Sequence, residues 1–352
     1  MSVSDLRVTA PGSDTVLSVH DLKVWYGTPR GAVRAVDGVS FDLRRGETLG
    51  LVGESGCGKS TLGRGVLGLL PTAAKTAGSV VFEGQELVGA SIRDLRRLRG
   101  PSLGLIFQEP MTRLNPLLRI SEHFDETLRT HETSLSKAQR RRRSLDALGS
   151  VGIPPTRFDN YPHEFSGGMR QRIMIALVLV LNPAMVVADE PTTALDVLVE
   201  AQILRILADI KSSYDTAILL ITHNLGIVAE ACDRVAVMYA GKIVEQGDAA
   251  EVFQGPQHPY TAELLRSTIS LSTTELHSIP GAPPDLVDPP PGCRFHPRCP
   301  NAMKVCAERV PLTVSSGLGH DVACWLRVPD HVIAPGGTVP LERQEIDRAD
   351  EA

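Results

Sequence analysis

Gly53-Glu54-Ser55-Gly56-Cys57-Gly58-Lys59-Ser60-Thr61 sets glycines, a lysine and hydroxyls at the spacing that cradles phosphate. The glycines let the backbone wrap closely and aim N–H groups at a β-phosphate, at the start of a helix whose dipole also favours an anion. Lys59 would place a point charge between the β- and γ-phosphates, and the Ser60 hydroxyl is suited to coordinate Mg²⁺. Gly53, Ser55, Gly56, Cys57, Gly58, Lys59, Ser60 and Thr61 are therefore candidate nucleotide-binding residues. A chance glycine turn would not be expected in this register, after an apolar strand and before a helix.

A second group completes the chemistry. Met185-Val186-Val187-Ala188-Asp189-Glu190-Pro191 is an apolar strand ending in two carboxylates. Asp189 would face the metal through water, and Glu190 would lie on the γ-phosphate side, where it could polarise an attacking water. Alone, such a pair is more often a solvated turn; about 130 residues after a phosphate loop, it reads as catalytic. The third motif is Phe165-Ser166-Gly167-Gly168-Met169-Arg170-Gln171-Arg172, in which Ser166 is a good N-cap and the glycines allow backbone N–H groups to approach a phosphate. Its helix belongs to a helical stretch rather than to the nucleotide loop, so it would serve poorly as a second phosphate site on the same molecule.

The elements that must position these groups follow from periodicity. Residues 16–24 and 34–43 alternate like antiparallel strands, and 48–52 is a short apolar run feeding the glycine loop. Helix is expected over 59–70, and strands over 79–82 and 103–107. From 121 to 181 the period is helical, with Ser136 and Gln139 in capping-box spacing. The apolar runs 185–188, 217–221 and 235–239, separated by helices, predict a parallel sheet and an α/β fold. After about residue 272, Pro280, Pro283, Pro284, Pro289, Pro290 and Pro291 forbid a helix, and Cys293, Cys299, Cys306 and Cys324 follow. This reads as a compact appendage tied by something other than a large core, ahead of a polar tail beyond 328.

Composition bounds the function. The chain has 352 residues, 42% of them apolar and 22% charged, as in an ordinary globular protein. A net charge of −5 and a pI near 6.1 argue against a nucleic-acid partner. The run Arg140-Arg141-Arg142-Arg143 reads as a solvated helix face. The most apolar stretch, 173–188, is too short to span a bilayer and is broken by Asn182-Pro183. The N-terminus lacks a secretory pattern. A cytosolic chain is expected, in which a disulfide framework is not.

With these motifs in place, residues 16–270 resemble the ATPase subunit of an ABC transporter. The resemblance implies a P-loop ABC ATPase core: a mixed sheet, an antiparallel β subdomain and an inserted helical subdomain over about 110–182. It divides the chain into a nucleotide-binding domain over 1–270, a small irregular cysteine-rich C-terminal extension over 271–328 and a tail over 329–352. Further residues match the family's order. Tyr26 resembles the aromatic that stacks on adenine, with an ordinary exposed tyrosine as the other reading. Gln108 resembles the residue that contacts metal and nucleophilic water and links the site to the membrane partner through 109–116. Asp196 matches the loop that couples the two sites of a dimer, and His223 the histidine that grips the γ-phosphate. The resemblance also implies that Ser166, Gly167, Gly168 and Met169 cover the ATP held by another subunit. Phe165 and Met169 depart from the family's usual leucine and glutamine.

Residues 255–328 resemble the C-terminal extension of oligopeptide/dipeptide transporter ATPases. The gaps between the four cysteines, five, six and seventeen residues, could supply four thiolates to one centre, [4Fe–4S] or Zn²⁺, without choosing between them; the resemblance favours the cluster. It further implies a second, related ATPase as heterodimer partner, two integral-membrane permeases, an extracytoplasmic peptide-binding protein, and a peripheral position on the cytoplasmic face of the inner membrane. Cargo stays open among dipeptides, longer peptides and other solutes such as nickel chelates. A soluble ABC ATPase outside transport would show a coiled coil or two fused cassettes, and neither is visible.

Overall fold

The structure is a computed structural model that describes residues 14–107, 114–193, 196–268, 277–317 and 319–329. Gln108 lies outside the described residues, as do most of segment 109–116 and all but the first residue of the tail.

Two long strands, β1 (Thr15–Thr28) and β2 (Gly31–Arg44), form a hairpin whose pairing runs to Thr28 opposite Gly31. Both extend past the stretch that alternation marks, because bulges such as the one at Asp21 (φ 46°) break the two-residue period. Next come β3 (Thr48–Val52) and α1 (Lys59–Val66). Helix α1 stops four residues short of the expected Leu70, where the chain turns through Gly68 (φ 63°). Strands β4 (Ala74–Phe82) and β5 (Gln85–Glu86) complete a four-stranded antiparallel sheet ordered β2-β1-β4-β5.

After α2 (Ile92–Leu98) and β6 (Leu103–Ile106) the chain forms a helical layer of α3 (Ile120–His131), α4 (Lys137–Ser150) and α5 (Gly167–Leu179). The expected capping box starts α4: the Gln139 N–H donates to Ser136 Oγ at 3.3 Å and the Ser136 N–H to Gln139 Oε1 at 2.8 Å. The arginine run on α4 is more than a solvated face. Arg140 is half-buried on Asp125 of α3 at 2.7 Å, Arg143 pairs with Glu132 at 3.2 Å, and Arg141 lies over the Phe158 ring. The first two contacts tie α4 to α3 and its C-terminal end, and the third ties it to the stretch before α5.

The remaining elements alternate. They are β7 (Met185–Asp189), α6 (Val197–Tyr214), β8 (Ala217–Ile221), α7 (Leu225–Ala231), β9 (Arg234–Tyr239), β10 (Lys242–Asp248), α8 (Ala249–Gln254), α9 (Pro259–Arg266), α10 (Lys304–Glu308), β11 (Thr313–Ser315) and β12 (Asp321–Ala323). An eight-stranded sheet runs β11-β12-β10-β9-β3-β8-β7-β6, parallel from β9 to β6 and antiparallel beyond. Every residue of β3, β7 and β8 is buried, which is why these strands read as unbroken apolar runs. One core lies between the antiparallel sheet, α1 and the main sheet, and a second between the main sheet and the helical layer.

The proline- and cysteine-bearing segment adds β12 to the edge of β10, pairing Val322 with Glu245. Phe295 sinks among Tyr239 and Tyr260, with ring centroids 5.2 and 5.3 Å away, and Met303, Val305, Cys306, Trp325 and Val328 form a small cluster of their own. The segment is thus held by sheet continuation and shared aromatics, which the sequence pattern did not anticipate. No helix among the described residues is long and apolar enough to cross a membrane.

Candidate active site

The phosphate loop connects β3 to α1, with Ser55 and Gly56 exposed at its tip. Gly58 precedes the helix at φ 111°, and a Cβ there would lie 2.0 Å from the Ala35 carbonyl oxygen, so this turn admits glycine alone. Lys59 is buried and donates to the Gly53 and Glu54 carbonyls at 2.8 and 3.0 Å, which holds its ammonium inside the curve of the loop. Burial pushes the Cys57 thiol up, against the pull of Lys59. Thr61 lies half-buried in the first turn of α1.

Ser60 Oγ donates to Asp189 Oδ1 at 2.9 Å, joining the start of α1 to the end of β7. Burial raises the Asp189 carboxyl, and the Ser60 hydrogen bond with the charge of Arg64 opposes this. A hydroxyl and a carboxylate in contact at a helix start, beside a lysine, form an oxygen donor set that fits Mg²⁺ with water and phosphate oxygens.

Glu190 has φ 48°, and its N–H donates to the Ile221 carbonyl at the end of β8 at 2.8 Å. A non-glycine residue in this region is uncommon and tends to occur at functional sites. Its two carboxylate oxygens are engaged: Thr193 Oγ1 donates to Oε2 at 2.8 Å, and His223 Nδ1–H donates to Oε1 at 3.2 Å. Burial raises the carboxyl, but these bonds and the charges of His223 and Lys59 outweigh it, so Glu190 is held below its ordinary value. His223 is exposed just after β8, ahead of Asn224, which caps α7 by accepting from the Gly226 and Ile227 N–H groups.

At the start of α5, Ser166 is exposed and its hydroxyl accepts from the Met169 N–H at 3.3 Å. The two unusual residues share a partner. The Arg157 guanidinium lies 4.4 Å from the Phe165 ring centroid and 3.8 Å from Met169 Sδ. The glycines differ in their surroundings. A Cβ on Gly168 would lie 2.5 Å from Val199 Cγ1 of α6, whereas one on Gly167 would meet nothing within 4 Å among the described residues.

Lys59, Ser60, Asp189, Glu190 and His223 therefore gather at the ends of β3, β7 and β8, the edge where open α/β sheets bind ligands. Tyr26 sits on β1 opposite Val33 and Ala74, half-buried on the core. Asp196 is the exposed N-cap position of α6. Sequence reasoning missed Gln171, which is buried and donates from Nε2 to the Pro191 carbonyl at 2.7 Å, tying α5 to the residue after Glu190. It also missed Thr193, although a hydroxyl three residues after the acid was visible.

The four terminal cysteines are unpaired and largely buried. Burial, then the neighbouring cysteines, pushes Cys293 up; burial foremost raises Cys299 to about 12, Cys324 to about 11, and Cys306 as well. Among the described residues, however, no group of three or more His, Cys, Asp or Glu side chains is arranged to hold a metal ion. As placed, the thiols do not form a ligand shell.

The phosphate loop, the acid pair and the histidine define a P-loop nucleotide hydrolase site. The sequence matches the ABC transporter family over residues 36–193 and the oligopeptide/dipeptide transporter C-terminal region over residues 244–306. It is 48% identical to a dipeptide transport ATP-binding protein DppD of Bacillus subtilis, covering 89% of this chain and 95% of that one. It is 47% identical to an oligopeptide transport ATP-binding protein OppD of Salmonella typhimurium, covering 94% and 99%. The fold superposes on cbiO1 from Clostridium perfringens, part of an ABC transporter complex, with a TM-score of 0.59 and 30% identity over 69% of this chain and 92% of that one. A dimeric ATP-binding cassette bound to ADP and Pi gives a TM-score of 0.60 over 66% of this chain and 98% of that one. The chain belongs to the ABC transporter ATP-binding subunits of the oligopeptide/dipeptide type.

Proposed function

We propose that this chain is the ATP-hydrolysing subunit of a peptide importer. The observation that carries the reading is the joining of Lys59, Ser60, Asp189, Glu190 and His223 at one sheet edge, in a chain that matches peptide-transport subunits over nearly its full length. Lys59 and the loop N–H groups bind the phosphates. Ser60, with Asp189 behind it, would hold Mg²⁺, which supplies charge neutralisation on the phosphate oxygens. Glu190 stays ionised at neutral pH and orients and polarises the attacking water, while His223 steadies it from the γ-phosphate side.

Ser166, Gly167, Gly168 and Met169 cover the nucleotide of a second, related ATPase subunit, and Asp196 links the two sites. Support comes from Gly167, which among the described residues has no neighbour in its own chain that demands a glycine. Tyr26 stacks on the adenine, and Gln108 reports the state of the site to two membrane permeases, fed by an extracytoplasmic peptide-binding protein. The chain then acts peripherally at the cytoplasmic face of the membrane, with a catalytic domain over 1–270 and a cysteine-rich extension over 271–328. Cys293, Cys299, Cys306 and Cys324 bind a [4Fe–4S] cluster, with zinc as the second reading. The reading rests on the match to the oligopeptide/dipeptide transporter C-terminal region over residues 244–306 and on four unpaired cysteines in and just after it, whose thiols would have to draw together from where they stand, and metal analysis with a visible spectrum after anaerobic purification decides it; a colourless, metal-free protein would refute both. The import function is tested in proteoliposomes carrying the whole complex. ATP-dependent uptake of labelled di- and oligopeptides is expected, and ATP turnover without peptide uptake would overturn the cargo.

A further inference from the structure

Two arginines of the C-terminal segment, each adjacent to a cysteine in sequence, reach back onto the catalytic domain, Arg298 to the phosphate loop itself and Arg294 to the residues beside it. Arg298, with its side chain 3% exposed, grips both carboxylate oxygens of Glu54 in the phosphate loop, at 2.7 Å to Oε2 and 3.0 Å to Oε1. Such bidentate pairs combine geometric specificity with charge-assisted bonding. The guanidinium is itself fixed, donating from Nε to the Pro280 carbonyl at 2.8 Å and from Nη1 to Tyr239 Oη at 3.3 Å. The Glu54 N–H donates to Tyr260 Oη at 2.9 Å, so backbone and side chain of this loop residue are both engaged by later parts of the chain. Arg294 pairs with Asp37 and donates to the Ala240 carbonyl, and the next residue, Gly241, donates its N–H to the Cys57 carbonyl at 2.8 Å. The phosphate loop is thereby braced at Glu54 and at Cys57.

Glu54 is a charge misfit where it stands. The loop's N–H groups and Lys59 exist to attract an anion, and Lys59 bonds the Glu54 carbonyl itself, yet the Glu54 side chain repels phosphate. We propose that the cysteine-bearing segment is a wall of the nucleotide site, with Arg298 as a positioning residue that neutralises Glu54 and fixes the phosphate loop for ATP. This rests on the reading of residues 53–61 as the ATP loop.

The test is the affinity of the full-length chain for Mg-ATP by titration calorimetry, at matched metal content, for wild type, Arg298→Ala, Glu54→Gln and the double variant. Arg298→Ala is expected to weaken binding roughly tenfold, the size of one uncompensated, partly screened charge near a polyanion. The double variant should return to within about threefold of wild type, because the charge that needs neutralising is gone; loss of packing or of a bound metal would not be rescued in this way. Glu54→Gln alone should bind several-fold more tightly, most clearly at low salt. Unchanged affinity in Arg298→Ala, or a loss that Glu54→Gln does not restore, overturns the proposal. Should Arg298→Ala not fold, Glu54→Gln decides alone: tighter binding supports the proposal, and equal or weaker binding overturns it. A wild-type chain that does not bind ATP would instead refute the nucleotide reading itself.

Discussion

Gly167 and Gly168 adjoin each other at the start of α5, and alanine at each should have opposite consequences. At Gly168 the new methyl would sit 2.5 Å from Val199 Cγ1 and 3.3 Å from Cγ2, well inside contact distance, so α5 and α6 must separate or Val199 must leave its rotamer. Overpacking of this kind costs about 1–3 kcal/mol. At Gly167 none of the described residues comes within 4 Å, and alanine is the better helix former, so stability should hold or rise by up to about 0.5–1 kcal/mol. Activity should dissociate from stability. In the assembled complex Gly167→Ala is expected to lose ATP turnover by tens-fold, because on the proposed reading its bare backbone is what a partner subunit's nucleotide approaches. Thermal melting of the isolated chain and ATPase assay of the complex read the two effects, and Val199→Ala should restore the melting temperature of Gly168→Ala. The reasoning is refuted if Gly167→Ala destabilises the chain as much as Gly168→Ala, or if its complex turns over at the wild-type rate.

Two further outcomes follow from buried polar groups. Gln171→Leu removes the buried amide that donates to the Pro191 carbonyl and should cost about 1–3 kcal/mol in urea unfolding, together with slower ATP turnover from a loosened Glu190 loop; wild-type stability would contradict it. His258 is fully buried and burial lowers it from 6.5 to about 3, so between these values the unfolded chain binds a proton that the native chain does not. Its contribution is intact above pH 6.5 and lost as pH falls, by about 2 kcal/mol at pH 5. His258→Asn, which keeps an acceptor for the Tyr260 N–H, should flatten that loss, and equal slopes for both proteins would refute the assignment.

The chemistry was legible where it depends on local order. The phosphate loop, the capping box at Ser136 and the strand ending at Asp189 each announce themselves through neighbours in sequence, and the structure places them accordingly. The second job of Gly168 was hidden, because Val199 lies on another helix. The lengths of β1 and β2 were hidden by bulges that reset their alternation. Least legible was the C-terminal segment: Arg298 meets Glu54 across 244 positions, and no periodicity marks an arginine as the partner of a distant glutamate. Its strand β12 spans three residues, too few to show a period.

The central claim is that Glu190 drives ATP hydrolysis within a peptide importer. The most direct measurement is ATP turnover and nucleotide retention in the reconstituted complex carrying Glu190→Gln, a change that preserves shape and removes the charge. The expected result is ATP bound and retained with turnover and peptide uptake abolished, and hydrolysis at the wild-type rate would contradict the account.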